Sequence, residues 1–123
     1  MALKFEKVTE DKRGKILWIT DGDTEIHVVE IKKGFARGGH FHKFDSTHIV
    51  TSGKVEYRET NLKDDKESIR VVDSISFIFT PANTAHLITA FEDSTFIEIF
   101  KTPYDVVLFP KYRDVVEQSM NTK

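Results

Sequence analysis

The sequence predicts an all-β protein, and three observations lead to this prediction. Short β-prone segments recur along the chain, and turn residues separate them. Apolar and polar residues alternate in several of these segments, which is typical of strands with one buried face. No helical period of apolar residues interrupts the series before the C-terminus. Strands at this spacing form a barrel or a sandwich.

The first predicted strands are bounded by glycine turns. Residues 15–20 and 24–31 are predicted strands on either side of the Asp21-Gly22-Asp23 turn, a sequence typical of tight hairpins. Residues 48–51 and 54–60 follow, with a glycine between them. We expect this second pair to form a hairpin as well.

The later strands precede one predicted helix. Residues 61–67 are mostly charged and predict a solvated loop, from which the chain returns along 68–72. Three more apolar segments predict strands at 76–80, 84–89 and 95–100. Residues 110–120 predict a short helix, because Pro110 suits a helix N-terminus. One face of this helix carries the apolar residues Tyr112, Val115, Val116 and Met120.

Composition limits the classes of function. The 123 residues fit one domain, 1–123, with a barrel over about 14–100 and a C-terminal extension over about 101–123. The net charge of −2 argues against a nucleic-acid partner. No apolar run is long enough for a membrane span or a signal peptide, so we expect a cytoplasmic protein. Because there is no cysteine, disulfides, thiolate metal sites and thiol nucleophiles are excluded.

Two of the five histidines stand one residue apart. Because residues two apart in a strand share a face, His40 and His42 are expected to project together. Gly38 and Gly39 precede them and remove side chains where a ligand could approach closely. Arg37 adds a cation suited to phosphate or carboxylate.

A third histidine follows a turn in Pro81-Ala-Asn-Thr-Ala-His86. A barrel that folds this turn over the first pair brings three imidazoles together. Imidazole suits several transition metals, so the sequence predicts a divalent transition metal (Zn, Ni, Fe, Mn or Cu), with its identity open.

These two segments resemble the motifs of the cupin superfamily. Gly34, then His40-x-His42, then Gly53 is similar to its first motif, and Pro81 to His86 is similar to its second. The resemblance spans roughly residues 14–100 and implies a jelly-roll-like double-stranded β-barrel. It also implies that His40, His42 and His86 are metal ligands.

The chain departs from the cupin pattern where a glutamate ligand is usual. That position falls on Ser46, or on Thr47 under a shifted alignment. His48 is two residues beyond Ser46 and shares its strand face, so it could complete the site or act as an acid or base. Tyr57 and Glu98 are further candidates for residues that face the cavity. Strand alternation alone does not show whether their side chains point into the barrel or away from it. His27 is expected to have a structural role.

A narrower resemblance points to a sugar-nucleotide branch of this superfamily, which includes dTDP-4-keto-6-deoxyhexose 3,5-epimerases and 3,4-ketoisomerases. Asp11-Lys-Arg-Gly is similar to the opening of that branch, and Arg37 to Lys43 is similar to its Arg-Gly-x-His-x-His-Lys segment. The resemblance implies a histidine base, an arginine that holds phosphates, and no metal. The two resemblances agree on the fold and differ on the metal.

The favoured function is therefore a small metal-binding cupin that acts as an isomerase or epimerase on a carbohydrate or another small oxygen-rich molecule. His42 and His48 are the candidate catalytic residues, and Arg37 and Tyr57 are candidates for substrate binding. The alternatives are a metal-dependent dioxygenase and a non-catalytic module that binds a sugar or a metal. A homodimer is expected, formed through the C-terminal helix or the first strand.

Overall fold

A computed structural model describes residues 2–101 and 103–122. These residues form eleven strands and one helix, which confirms the predicted all-β class with a short C-terminal helix. In chain order the elements are β1 (Leu3–Asp11), β2 (Gly14–Asp21), β3 (Thr24–Ile31), β4 (Ala36–Phe41), β5 (Ser46–Ser52), β6 (Lys54–Asn61), β7 (Lys66–Asp73), β8 (Ser76–Thr80), β9 (Thr84–Ala90), β10 (Ser94–Lys101), β11 (Val107–Leu108) and α1 (Pro110–Asn121).

The strands form two antiparallel sheets. The six-stranded sheet has the order β1-β2-β3-β10-β5-β8, and the five-stranded sheet has the order β11-β4-β9-β6-β7. The chain therefore crosses between the sheets repeatedly, and each sheet contributes inward-facing residues to one interior.

Two sequence-based assignments differ from this topology. The expected hairpin between 48–51 and 54–60 is wrong, because β5 pairs with β8 and β10 whereas β6 pairs with β7 and β9. The turn at Gly53 carries the chain from one sheet to the other. Strand β1 was not predicted; it pairs with β2, is exposed along its whole length, and has a register shift between Phe5 and Lys7.

The main core fills one end of the space between the sheets. Its buried members come from strands of both sheets and from the loop before β4: Val29, Ile31, Phe35, Val50, Val55, Tyr57, Val72, Ile78, Ile88, Ala90 and Phe96. Complete burial of a large apolar side chain such as Val, Ile or Phe contributes roughly 1.5–3 kcal/mol to the stability of the fold.

Helix α1 packs against the outer face of the five-stranded sheet. The predicted apolar face is confirmed, because Tyr112 and Val116 are fully buried against Leu87 of β9. The Tyr112 hydroxyl also donates to Glu67 at 2.7 Å and lies 2.5 Å from the Thr60 hydroxyl. Within the described residues, no helix has the length and apolar character needed to cross a membrane.

Candidate metal centre

A row of polar side chains crosses the interior face of the six-stranded sheet. Trp18 of β2 pairs with His27 of β3, which pairs with Glu98 of β10, and Glu98 in turn pairs with His48 of β5. Because directly paired residues point to the same side of a sheet, these four side chains share one face. His27 and His48 are buried.

Three imidazoles face this row from the five-stranded sheet. His40 of β4 pairs with His86 of β9, and His42 follows at the end of β4. The ring centroid of His40 lies 4.8 Å from those of both His42 and His86, and the His42 and His86 centroids are 5.3 Å apart. Their nitrogens lie within 4.8 Å of one another, so the three side chains could hold a metal ion. The fold thus brings the two histidine motifs together.

The glycines before His40 make room for the chain itself. A Cβ at Gly38 would lie 2.8 Å from the His86 carbonyl oxygen, and a Cβ at Gly39 would lie 2.9 Å from backbone atoms of Arg113 in α1. Both glycines have positive φ, 97° and 76°. The glycines therefore allow β4 to approach β9 and α1, and Gly38 also lines the cavity beside the site.

Hydrogen bonds determine which imidazole nitrogens are free. His42 Nδ1 lies 2.6 Å from the Asp105 carbonyl oxygen. Because a carbonyl only accepts, Nδ1 carries the proton and the lone pair of Nε2 is left free. An imidazole held in this way is suited to metal binding.

Several buried nitrogens of the site have no hydrogen-bond partner among the described residues. They are Nε2 of His40, Nε2 of His42, Nδ1 of His48 and both ring nitrogens of His86. Buried polar atoms are normally paired, because an unpaired one costs about 1–3 kcal/mol. A bound metal would use several of these lone pairs, so the residues present fit a metal ion.

The histidines of this cluster favour the neutral form that metals require. Burial lowers the pKa of His40 to about 4, and the neighbouring His42 and His48 lower it further while Glu98 opposes the shift. Burial also lowers the pKa of His42, and it lowers that of His86 well below its usual value. At neutral pH these three rings are uncharged and their lone pairs are available.

Glu98 is a largely buried carboxylate between two imidazoles, with 13% of its side chain exposed. His48 Nε2 donates to its Oε2 at 3.0 Å, and His27 Nδ1 donates to its Oε1 at 3.3 Å. Burial raises the pKa of Glu98, but the hydrogen bonds from His27 and His48 and the charge interactions with them together outweigh burial and hold the pKa well below its ordinary value. Glu98, His48 and His86 form a second group whose ligand atoms lie within 4.8 Å of one another.

A cavity of about 330 Å³ opens beside both groups. His27, His40, His48, His86 and Glu98 line it. Its other walls include three arginines and two aromatic rings: Arg13, Arg37, Arg113, Trp18 and Tyr104. The cavity is large enough for a small organic ligand.

Arg37 lies deepest of the three arginines. Its Nε donates to the Glu30 carbonyl at 2.9 Å, and its Nη2 donates to the Gly14 carbonyl at 3.3 Å. Burial lowers the pKa of Arg37 to about 10, so it is still a cation at neutral pH. Backbone carbonyls therefore fix the guanidinium at the cavity wall.

The remaining sequence candidates occupy different places. Tyr57 is buried in the main core, and its hydroxyl lies 2.6 Å from that of Thr80. Ser46 is buried near the site, and its hydroxyl has no partner among the residues that the structure describes. His27 lines the cavity, although the sequence suggested only a structural role. Its position between Ile26 and Val28 in β3 places it on the face opposite to these two residues, which is the sequence signal for an inward-facing histidine.

Comparison with known proteins identifies the family of this chain. A profile described as "Domain of unknown function (DUF4437)" matches residues 6–113, which is most of the chain. The chain belongs to the DUF4437 family. Among curated proteins, no relative matches it.

Solved structures show the fold of this DUF4437 domain. It is similar to the capsular polysaccharide assembling protein CapF from Staphylococcus aureus, with a TM-score of 0.72, 21% identity, and coverage of 83% of this chain and 33% of that chain. It is also similar to a mutant of the oxalate decarboxylase OxdC from Bacillus subtilis, with a TM-score of 0.76, 18% identity, and coverage of 83% and 29%. Both neighbours have the cupin fold, so the predicted cupin fold is confirmed for the DUF4437 domain. The chain spans about a third of the length of these neighbours.

Proposed function

We propose that the protein is a small metal-binding cupin that isomerises or epimerises a carbohydrate or another small oxygen-rich molecule. The observation that carries the proposal is the set of unpartnered buried imidazole nitrogens of His40, His42 and His86 beside a cavity of about 330 Å³. These residues would hold a divalent metal. A metal at this position polarises a carbonyl or hydroxyl oxygen of a bound substrate.

The charge of the cavity wall supports an oxygen-rich, anionic substrate. Arg13, Arg37 and Arg113 line the wall together with Glu98. Asp11 pairs with Arg13 at 2.7 Å and Glu117 lies 3.8 Å from Arg113, so Arg37 is the main cation offered to a ligand. Guanidinium groups bind carboxylates and phosphates through paired hydrogen bonds. Two structural neighbours are named for capsular polysaccharide and for oxalate, both rich in oxygen.

His48 is suited to move the proton that such a reaction requires. Its Nε2–H is held by Glu98 at 3.0 Å, which leaves the lone pair on Nδ1. That nitrogen is buried and has no partner among the described residues. It would take a proton from the carbon next to a carbonyl, and the same nitrogen or a second group would return it. Arg37 would hold the substrate, and His42 would serve as a ligand.

Deuterium exchange tests the proposed chemistry directly. Metal-loaded protein is incubated in D₂O with a panel of aldoses, ketoses, sugar phosphates and nucleotide sugars, and mass spectrometry measures deuterium at carbon. We expect exchange with at least one compound, and a loss of roughly 100-fold or more in His48→Asn, the upper range for a general base being about 10⁴-fold. Thr47→Ala is the matched control on the same strand and retains exchange.

Two results would contradict this proposal. The isomerase assignment fails if the metal-loaded protein exchanges no carbon-bound proton in any of these compounds. The role of His48 fails if His48→Asn, shown to be folded by circular dichroism, exchanges at the wild-type rate. Tight binding of a sugar without exchange would identify a binding module.

A dioxygenase is the second candidate, and one observation favours it. His48, His86 and Glu98 form a group of two imidazoles and one carboxylate, a donor set typical of non-haem iron oxygenases. Oxygen consumption by the iron-loaded protein, measured with the same compounds in an oxygen electrode, separates this candidate from the isomerase.

We also propose a homodimer formed through β1. This edge strand exposes Leu3, Phe5 and Val8, and an exposed apolar edge favours pairing with a second copy. Light scattering during gel filtration should give twice the monomer mass, and Phe5→Asp should give the monomer mass. A monomeric wild type would contradict the proposal.

A further inference from the structure

We propose that Glu98 is a direct ligand of the metal and completes a centre with His40, His42 and His86. The inference rests on the proposed metal site and adds to it a carboxylate from the opposite sheet. His27 and His48 then act as the groups that hold this carboxylate in place.

The first argument is position. One ligand atom each from Glu98, His48 and His86 lies within 4.8 Å of the others, and the same limit holds for His40, His42 and His86. His86 belongs to both groups. A ligand atom of Glu98 therefore lies within 4.8 Å of a nitrogen of His86, the imidazole that belongs to both groups.

The second argument is the number of free lone pairs. An ionised carboxylate has about four acceptor positions on its two oxygens. His48 uses one on Oε2, and His27 uses one on Oε1. Each oxygen therefore keeps a lone pair, and the two histidines fix the plane of the carboxylate as a ligand requires.

The third argument is charge. The three imidazoles are neutral, so a divalent ion held by them alone would bring two positive charges into a buried site. Glu98 is ionised between its two imidazole donors and would neutralise one of these charges.

Cobalt binding tests this assignment without any assay of activity. Co²⁺ is titrated into the metal-free wild type and into Glu98→Gln, and calorimetry and the visible d–d absorption are recorded. Glutamine has nearly the same shape but carries no charge. We expect Glu98→Gln to bind Co²⁺ at least ~10-fold more weakly and to show a shifted d–d spectrum, because an oxygen ligand is lost or replaced.

Glu25→Gln is the matched control. Glu25 lies on the other side of His27, with its Oε2 at 3.8 Å from His27 Nε2. The substitution removes the same charge near the same imidazole but outside both ligand groups. We expect its Co²⁺ affinity to stay within about twofold of wild type and its spectrum to be unchanged.

The possible outcomes separate this inference from the proposed function. If the wild type binds no Co²⁺, the metal site itself is refuted. If the wild type binds and Glu98→Gln has the same spectrum, Glu98 is not a ligand, whatever happens to the affinity. Should Glu98→Gln fail to fold, Glu98→Asp is used instead, since it withdraws the carboxylate by one methylene and should shift the same absorption.

Discussion

The two ends of the barrel interior are built by the same strands but have opposite character. Four strands pass from an apolar core residue to a polar site residue two positions away: Val29 to His27, Val50 to His48, Ile88 to His86 and Phe96 to Glu98. At the apolar end, packing satisfies every one of these side chains. At the polar end, several ring nitrogens have no partner in the part of the chain that the structure describes.

This difference indicates which end stabilises the fold and which end is suited to bind a metal or a ligand. Apolar burial lowers the free energy of the folded state directly. Unpartnered imidazoles raise it until a ligand or a metal pairs with them. Stabilising apolar residues and unpartnered imidazoles are only two positions apart on the same strand. Substitutions at these neighbouring inward positions should therefore change the stability of the protein by different amounts.

The largest loss of stability should come from the apolar end. Phe96 is 3% exposed in the main core, and Phe96→Ala should lower the free energy of unfolding by about 3–5 kcal/mol, because it leaves a cavity. Urea denaturation measures this loss. The matched control is Phe77→Ala on β8, where the ring is 70% exposed and the expected loss is about 0.5 kcal/mol or less. Similar losses of unfolding free energy in Phe96→Ala and Phe77→Ala would contradict the assignment of the apolar end as the stabilising one.

The next largest effect tests the contact between the site strand and the helix. Gly39→Ala should cost about 2–4 kcal/mol, since the new Cβ meets the Arg113 backbone and the positive φ is also unfavourable. Gly22→Ala is the control, because its φ of 62° is also positive but nothing lies within 4 Å of the added atom. We expect about 1 kcal/mol there, and equal losses would show that only backbone strain matters.

At the polar end, a substitution should abolish metal binding at little cost in stability. His86→Leu removes both unpartnered ring nitrogens. Without metal, its free energy of unfolding should lie within about 1 kcal/mol of wild type, because an apolar side chain replaces unpaired polar atoms. With metal, only the wild type should gain thermal stability. A loss as large as that of Phe96→Ala would break the distinction between the two ends.

The smallest effect concerns Glu67, a surface carboxylate outside both ends whose Oε2 contacts Tyr112 and Lys111. The hydrogen bond from Tyr112 lowers the pKa of Glu67 below its usual 4.5, and Lys111 adds to this while burial opposes it. Ionised Glu67 therefore stabilises the fold above its usual pKa, and this contribution is lost as pH falls through the lowered pKa. Because Glu67 is partly exposed, we expect at most about 1 kcal/mol.

Thermal denaturation of wild type and Glu67→Gln measures this contribution. The wild type should be slightly more stable at pH 7, and the difference should disappear as the pH falls through the lowered pKa of Glu67. A difference that grows on acidification would show that the sign is wrong.

Much of this fold could be predicted from alternation and turns alone. The exception at the start, β1, has no buried face, and its register shift after Phe5 breaks the period of two. The wrong hairpin at Gly53 has another cause, because a tight turn within one sheet and a crossing between two sheets use the same turn residues. The residues of a turn therefore do not determine which strands pair with each other in a sheet.

Some residues of the candidate site could also be predicted from the sequence, and others could not. The three-histidine cluster could be predicted, since two short motifs carry it. Glu98 could not be assigned, because its role depends on β10 lying between β3 and β5. Tyr57 illustrates the reverse case: it faces the interior, but at the apolar end, where its hydroxyl contacts Thr80. Distance along the barrel, as well as strand parity, decides what an inward side chain does.

The alternation in β9 limits how this chain can change in length. His86 and Ile88 face the interior, while Leu87 between them packs under α1 with Tyr112 and Val116. Deleting one residue in the middle of this strand would move the imidazole to the helix side and a helix contact into the site. Insertions and deletions should therefore be tolerated in the charged loop between β6 and β7 and excluded from β9, where even a paired deletion would shift the histidine away from its partners on β4.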